Sequence, residues 1–575
     1  MTNKRAPHLF PLAIALRKTM HRYTWTLFKQ DLMAAFVVSL VALPLSMALS
    51  IAVGLPPQHG LYTAMVAGFI VPLLGGSVHQ VTGPTAAFVV ILAPIVAEHG
   101  LRGIIWCGIL AGFILIVLGV SQFGKLVQYI PYPVTTGFTA GIGLVLATLS
   151  LNDFLGLHLV SLGHTYLDRL SAIIGALPQL NQQEFSVGGI TLLLVIYSGH
   201  VVKFLPSAIL AVVGGTLVAY FWNALGFDIA TIGSRFSYLG TDGLAHPGIP
   251  NFLPVLHWPT FVPGELFSIP SIAEFQTLLF PALAIAILAA LESLLSATVA
   301  DSMAGTKHDP NAELTGVGVG NIFAALAMGI PATGAIARTA TNITNGAKTP
   351  LAVSMHAILI LLYVLLFSTY INQIPMAALA ALLIFTAYRM SHVRQFIHVL
   401  KVAPRSDIVV MLTCFFLTVF IDMVAGISLG MICAAFLLMK QVTEITQVEF
   451  EEADDISPKK YKIPVGTLMY RISGPLFFGS VEKAFDRSTF PQKQIHTVIL
   501  DIAHVPFIDM SGLIALNSTL SALFKAKYRI LIVCNTQKVI ASIKKNVESE
   551  QIKKHIQFLA TTEEALQLAK EVVIQ

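Results

Sequence analysis

Apolar residues fall in long, closely spaced runs, at roughly 32–53, 60–75, 84–97, 103–120, 133–150, 187–202, 205–222, 275–301, 314–328, 335–347, 351–369, 376–388, 407–421 and 425–440. Between Asp31 and Glu98 there is no Asp, Glu, Lys or Arg. A water-soluble fold has no need of such a gap, whereas two or three membrane spans do. The pattern predicts about fourteen helical spans, several too short to cross about 30 Å of hydrocarbon as straight helices. After Lys440 the pattern changes. An acidic stretch (Glu444, Glu449, Glu451, Glu452, Asp454, Asp455) reads as a linker. Beyond it, the short runs 497–505 and 529–535 read as buried strands, and 511–526 and 562–573 as helices. The expected organisation is an N-terminal segment (1–30), an all-α polytopic membrane domain (31–440), the linker (441–460) and a small α/β domain (461–575).

Composition strengthens the membrane reading. Of 575 residues, 55% are hydrophobic and 11% charged, against about 25% charged in soluble domains. The basic start (Lys4, Arg5, Arg17, Lys18, Arg22, Lys29) lacks a short apolar core followed by a cleavage site, which predicts a cytoplasmic N-terminus rather than a cleaved signal peptide. An even number of spans returns the C-terminus to the same side. The cluster Arg389, Arg394, Lys401 and Arg405 then falls inside, and the 223–270 loop, whose only Lys or Arg is Arg235, falls outside. Cys107, Cys414, Cys433 and Cys534 show no paired or metal-ligand spacing and read as free thiols. No P-loop, metal cluster or nucleophile–base pair is present, so the chain does not read as an enzyme, a cofactor or metal protein, or a nucleic-acid binder.

Two stretches are unlike their apolar surroundings. Gly329 to Pro350 (GIPATGAIARTATNITNGAKTP) carries prolines, glycines and Arg338; Gly75 to Phe88 (GGSVHQVTGPTAAF) is its counterpart near the third span. Irregular backbone at membrane depth is tolerated only where protein covers it or a cavity needs it. Seven spans that start inside end outside, so a second set of seven must be inverted, and short interrupted spans at matching places mark the site of such a transporter. Each stretch reads as an extended lead-in followed by a short helix. Two such helices meeting nose to nose direct free N–H groups and positive dipole ends at one point, which binds an anion.

Thr85 and Ala86 start the first short helix. Arg338 is either a fixed charge supporting a bound anion or a structural ion-paired or snorkelling side chain. Glu292 is the sole carboxylate inside the eighth span. Burial favours the neutral form of a carboxyl group, so Glu292 is read either as a proton site coupled to substrate or as a neutral partner for a helix end. Ser296 shares its face one turn on. Asp422, Asp301 and His308 read as turn or helix-end residues. Ser511, near the start of a predicted helix, is either a cap or a phosphorylation site.

PPQHGLYTAMVAG (56–68), GPTAAFVVI (83–91), ALESLLSATVADSMAGTKHD (290–309) and IARTATN (336–342) resemble the sulfate permease (SulP, solute carrier 26) family, and FGSVEKAF with VILDIAHVPFIDMSG (498–512) resembles its C-terminal STAS domain. Within the family NDFLGL (152–157), ATIGSRFSY (230–238), GIPNFLP (248–254) and SGPLFF (473–478) are similar to bacterial four-carbon dicarboxylate transporters. The resemblance implies a homodimer of seven-plus-seven inverted-repeat protomers, with a core moving against a gate. It implies an anion held by Thr85, Ala86, Phe88, Ala335, Ile336, Ala337 and Arg338, with Ser46 alongside. Proton coupling falls on Glu292 and Ser296, where sodium-coupled relatives carry Asp and Thr. Pro44-Leu45-Ser46 stands where many members have a Gln and Tyr motif. The implied function is proton-coupled import of succinate, fumarate or aspartate across a bacterial inner membrane. The other readings are sulfate or bicarbonate transport, an uncoupled anion channel or exchanger, and a STAS signalling protein with its own cytosolic partner.

Overall fold

The computed structural model describes residues 12–21, 23–125, 130–159, 163, 165–201, 205–240, 244–262, 265–451, 462–485, 495–547 and 549–573. The chain divides into two compact units, Met1–Met431 and Ile432–Gln575. The first contains α1 (Ile14–Met20), α2 (Trp25–Val53), α3 (Pro57–Leu74), strand β1 (Thr82–Gly83), α4 (Ala86–Val120), α5 (Tyr132–Phe154), α6 (Tyr166–Ala176), α7 (Gln182–Val201), α8 (Ser207–Ala224), α9 (Ile232–Arg235) and the strands β2 (Ser237–Leu239) and β3 (Ala245–Pro247). It continues with α10 (Ile272–Ala304), α11 (Pro310–Leu326), β4 (Thr333–Gly334), α12 (Ile336–Thr344), α13 (Pro350–Ile371), α14 (Met376–Met390), α15 (Val393–Val402), α16 (Arg405–Phe420) and α17 (Met423–Ile445), within which the division falls.

Eight helical stretches among the described residues are long and apolar enough to cross a membrane. The third and fourth expected spans form one helical run, α4, because residues 98–102 stay helical and only Gly100 leaves the helical region (φ 61°, ψ −158°). Glycine takes that positive φ without a Cβ penalty. Counting α4 on either side of Gly100, seven full or half spans (α2, α3, α4 twice, α5, α7, α8) precede the region around 225–271 and seven follow (α10, α11, α12, α13, α14, α16, α17). The loop expected at 223–270 carries α9 and the antiparallel pair β2–β3. Helices α6 and α15 are also additions to the sequence pattern.

Two groups of helices share this unit. Helices α2, α3, α4, α10, α11, α12 and α13 pack on one another, while α5, α7, α8, α14 and α16 form a second group. Small residues let the axes approach, as packing in lipid requires. A Cβ at Gly112 of α4 would lie 2.6 Å from the Gly318 carbonyl oxygen of α11, and one at Gly137 of α5 2.2 Å from that of Met411 in α16. At the centre of the first group β1 and β4 pair antiparallel, Thr82 opposite Gly334 and Gly83 opposite Thr333. The same Thr-Gly dipeptide from each half of the chain thus pairs with its copy, as an inverted repeat demands.

The second unit holds a five-stranded sheet, β5 (Gln447–Glu451), β6 (Thr467–Ser473), β7 (Thr497–Asp501), β8 (Arg529–Val533) and β9 (Ile556–Leu559), in that order. Only the β5–β6 pair is antiparallel. Helices α18 (Val481–Ala484), α19 (Met510–Lys525), α20 (Gln537–Asn546), α21 (Glu550–His555) and α22 (Thr562–Val573) accompany it. Alternation sorts the strands: Tyr470, Leu500 and Ile532 pack with Leu516 and Leu520 of α19, while Met469, Ile499 and Leu531 pack with Ala565 and Ala569 of α22. Part of the expected linker is therefore sheet. Val448 and Phe450 alternate with charged neighbours and pack onto the core. Residues 452–460 of that linker and 1–11 of the N-terminal segment lie outside the described residues.

Candidate anion-binding site

Helix starts decide where this protein can hold an anion. The other spanning helices open on a side-chain cap or on proline. Thr24, Asn181, Ser271, Asp309, Thr349 and Asp422 accept amide hydrogen bonds at the starts of α2, α7, α10, α11, α13 and α17. Proline stands at the starts of α3, α5, α8, α14 and α16. Helices α4 and α12 differ. Their N-cap residues, Thr85 and Ala335, provide no side-chain cap, so first-turn amides are left for another acceptor.

Thr85 has the hydroxyl for a cap but spends it elsewhere. Its Oγ1 donates to Glu292 Oε2 at 2.9 Å, which brings the mid-span carboxyl group of α10 to the start of α4. Thr85, Glu292 and Ala335 are half-buried, Ala337 is exposed, and Ile336 is 41% exposed. These residues form the accessible face of the site. Ala86 and Phe88 are buried behind it.

Hydroxyl groups on α10 hold the second half-helix in register. Ser293 Oγ lies 2.9 Å from Thr333 Oγ1 and accepts the Gly334 amide at 3.0 Å. Ser296 Oγ lies 3.2 Å from Thr339 Oγ1, which accepts the Val81 amide at 3.0 Å. Ser296 therefore braces α12 rather than touching Glu292's partner. Ser46 is buried on α2; its hydroxyl has no partner among the described residues, and its backbone carbonyl lies against Gly60 of α3.

Arg338 is buried, not on the accessible face. Its Nη2 donates to the Pro84 carbonyl, and Nε and Nη1 have no partner among the described residues. A Cβ at Gly83 would lie 2.7 Å from Nη1, so glycine there makes room for the guanidinium. No carboxylate pairs with Arg338 among the described residues. The guanidinium thus sits behind β1, bonded to the peptide that leads into α4. Beside it His356 is fully buried, its Nδ1 on the Val353 carbonyl and its Nε2 unpartnered.

Of the buried carboxylates that the sequence reading did not single out, Glu313 and Asp31 hold the segments around the two half-helices. Glu313, one turn into α11, accepts the Gly76 and Ser77 amides, both at 2.9 Å, and Gln80 Nε2 at 2.8 Å. It fixes the lead-in to β1. Asp31 on α2 accepts the Lys348 and Thr349 amides at 2.7 and 3.2 Å and the Thr349 hydroxyl at 2.6 Å, fixing the far end of α12. Asp309-Pro310 three residues ahead of Glu313 was the available signal, a capped helix start that places Glu313 inside the helix. Asp422 and Asp301 are turn and helix-end residues, the latter binding His308. In the second unit Asp509, not Ser511, caps α19, accepting the Gly512 amide at 2.8 Å. Ser511 lines an open groove of about 650 Å³ with Glu482, Phe485, Ile514 and Ser518.

Two uncapped half-helices meeting across an inverted repeat, with a carboxyl group at one tip, define a membrane anion transporter followed by an α/β domain. The sequence comparisons agree: the Sulfate permease family description matches residues 28–414 and that of the STAS domain residues 458–565. The chain belongs to the sulfate permease family. It is 36% identical over 514 residues to the Bacillus subtilis (strain 168) protein named "Putative sulfate transporter YvdB", covering 89% of this chain and 92% of that one. It is 26% identical to the Bicarbonate transporter BicA of Picosynechococcus, covering 88% of each. The fold matches that of the murine Solute Carrier 26 family member A9 anion transporter in its inward-facing state, with TM-score 0.83, 17% identity and coverage of 99% of this chain and 96% of that one.

Proposed function

We propose that this protein is a secondary-active transporter that carries a small anion across a bacterial inner membrane by alternating access, binding it between the starts of α4 and α12. The observation that carries the reading is the Thr85–Glu292 hydrogen bond at an otherwise uncapped helix start. An anion arriving there meets free amides, and beside it a negative charge on Glu292 would be repelled, so the anion favours the protonated carboxyl group. Binding of proton and anion therefore supports each other, with Glu292 as the proton site.

The names of the relatives favour sulfate or bicarbonate as substrate. A four-carbon dicarboxylate is the second reading. It rests on the segments 152–157, 230–238, 248–254 and 473–478 and on a backbone site that recognises charge rather than carbon skeleton. A homodimer with both termini cytoplasmic completes the proposal. The test is uptake of labelled sulfate, bicarbonate and succinate by the reconstituted full-length protein under an imposed proton gradient. Sulfate or bicarbonate accumulation driven by external acid supports the first reading, and succinate accumulation alone supports the second. Uptake of each that ignores the gradient removes the coupling.

A further inference from the structure

Helix α15 is a ten-residue segment between two spanning helices. His392 in the left-handed region (φ 43°) breaks it from α14, and Pro404 starts α16 two residues after it ends. The three faces of α15 differ. Phe396 and the buried Val399 turn inward, the Phe396 ring meeting that of Phe415 at a tilt of 52° with centroids 5.3 Å apart. Next to that face Val393, Ile397 and Leu400, spaced four and three residues apart, are 41%, 43% and 37% exposed. Beside the apolar stripe runs a second at the same spacing, exposed Arg394, His398 and Lys401, continued by Arg405 and by Arg389 at the end of α14. Among the described residues none of Arg389, Arg394, Lys401 and Arg405 forms an ion pair.

We infer that α15 is a docking surface for anionic phospholipid of the adjacent leaflet. An apolar stripe flanked on one side by cations is what an interfacial helix needs: Val393, Ile397 and Leu400 enter the acyl boundary while Arg394, Lys401 and Arg405 stand at headgroup level. The unneutralised charge of one sign argues against a second copy of this chain, whose matching face would present the same cations, and the exposed Val393, Ile397 and Leu400 beside it suit an acyl boundary better than an acidic segment. The helix also packs on α5 and follows α14, two helices of the second group, so the lipid would anchor that group in the membrane.

The experiment uses the full-length protein in nanodiscs or vesicles of phosphatidylcholine with a graded fraction of phosphatidylglycerol. Wild type is expected to retain phosphatidylglycerol selectively, measured by native mass spectrometry, and to lose the selectivity in high salt. Two cations at the surface contribute enough that R394Q/K401Q should weaken retention about tenfold or more, and I397S should weaken it through the apolar stripe. All three residues are exposed, so uptake by both variants in pure phosphatidylcholine should match wild type and report folding. Equal phosphatidylglycerol retention by wild type and R394Q/K401Q overturns the inference. So does a crosslink at position 397 between two copies in phosphatidylcholine alone, which would show that a second protomer covers the face.

Discussion

Thr85 and Glu292 carry opposite halves of one interaction, and their substitutions separate binding from coupling. Glu292→Gln keeps the hydrogen-bond acceptor for Thr85 but cannot change charge. Uptake is expected to persist while its rise with external acidity flattens, read from the pH profile in proteoliposomes. Thr85→Val removes the donor and leaves the carboxyl group unpaired at about 1–3 kcal/mol. A rise in KM of about fivefold or more, measured in the same assay, is the expected outcome. Arg338 calls for a different pair. Because the guanidinium lies behind β1 with one bond, to Pro84, Arg338→Lys retains the field while losing the fork. If the field supports the anion, Lys keeps substrate affinity within a few-fold and Ala does not, in equilibrium binding of labelled substrate. Sequence reasoning found Arg338 by its charge in an apolar run but could not tell which way it points. That is decided by Gly83, whose missing Cβ leaves room for the guanidinium beside β1.

The half-helices were legible as elements because proline, glycine and polar residues interrupt an apolar run where a straight span would not tolerate them. What holds them was not. The strand pairing of β1 with β4 rests on two residues from each half, too short for any periodicity to reveal, and its supports are hydroxyls scattered along α10 at Ser293 and Ser296. Glu313 was hidden because it sits in the first turn of α11, where an acidic residue ordinarily reads as a dipole partner facing water, and Asp31 because it borders the first apolar run, where a charge reads as the edge of a span. Here both are buried and accept backbone amides of distant segments. Thr339→Val tests this scaffold. It strands the Val81 amide and Ser296 together, at a cost of roughly 1–3 kcal/mol for each unpaired buried group. Lower thermal stability of the detergent-solubilised protein is expected, with substrate added as ligand restoring part of it if the half-helices are the binding element.

At the scale of the whole molecule, hydropathy and the matching interrupted spans were enough to read an inverted-repeat membrane domain with an α/β domain after it, because both depend on composition over tens of residues. The division of the spans into two packed groups was not written in any single span; it depends on which small residues face which helix. That division carries the last prediction. Between the groups a gap of about 20 Å³ is lined by Ala48, Ile51 and Ala52 of α2, Leu149, Ser150 and Asp153 of α5, and Met376, Leu379, Ala380 and Leu383 of α14. It holds about one water, so the two groups are in near contact along these residues. If alternating access moves one group against the other, the lining must separate once per cycle. In a background with Cys107, Cys414, Cys433 and Cys534 replaced, cysteines at Ile51 and Met376 joined by a short thiol crosslinker should stop uptake, and a cleavable linker should restore it on reduction. The same crosslink with uptake intact would mean the two groups keep their contact throughout transport, and the anion would then need a path that does not run between them.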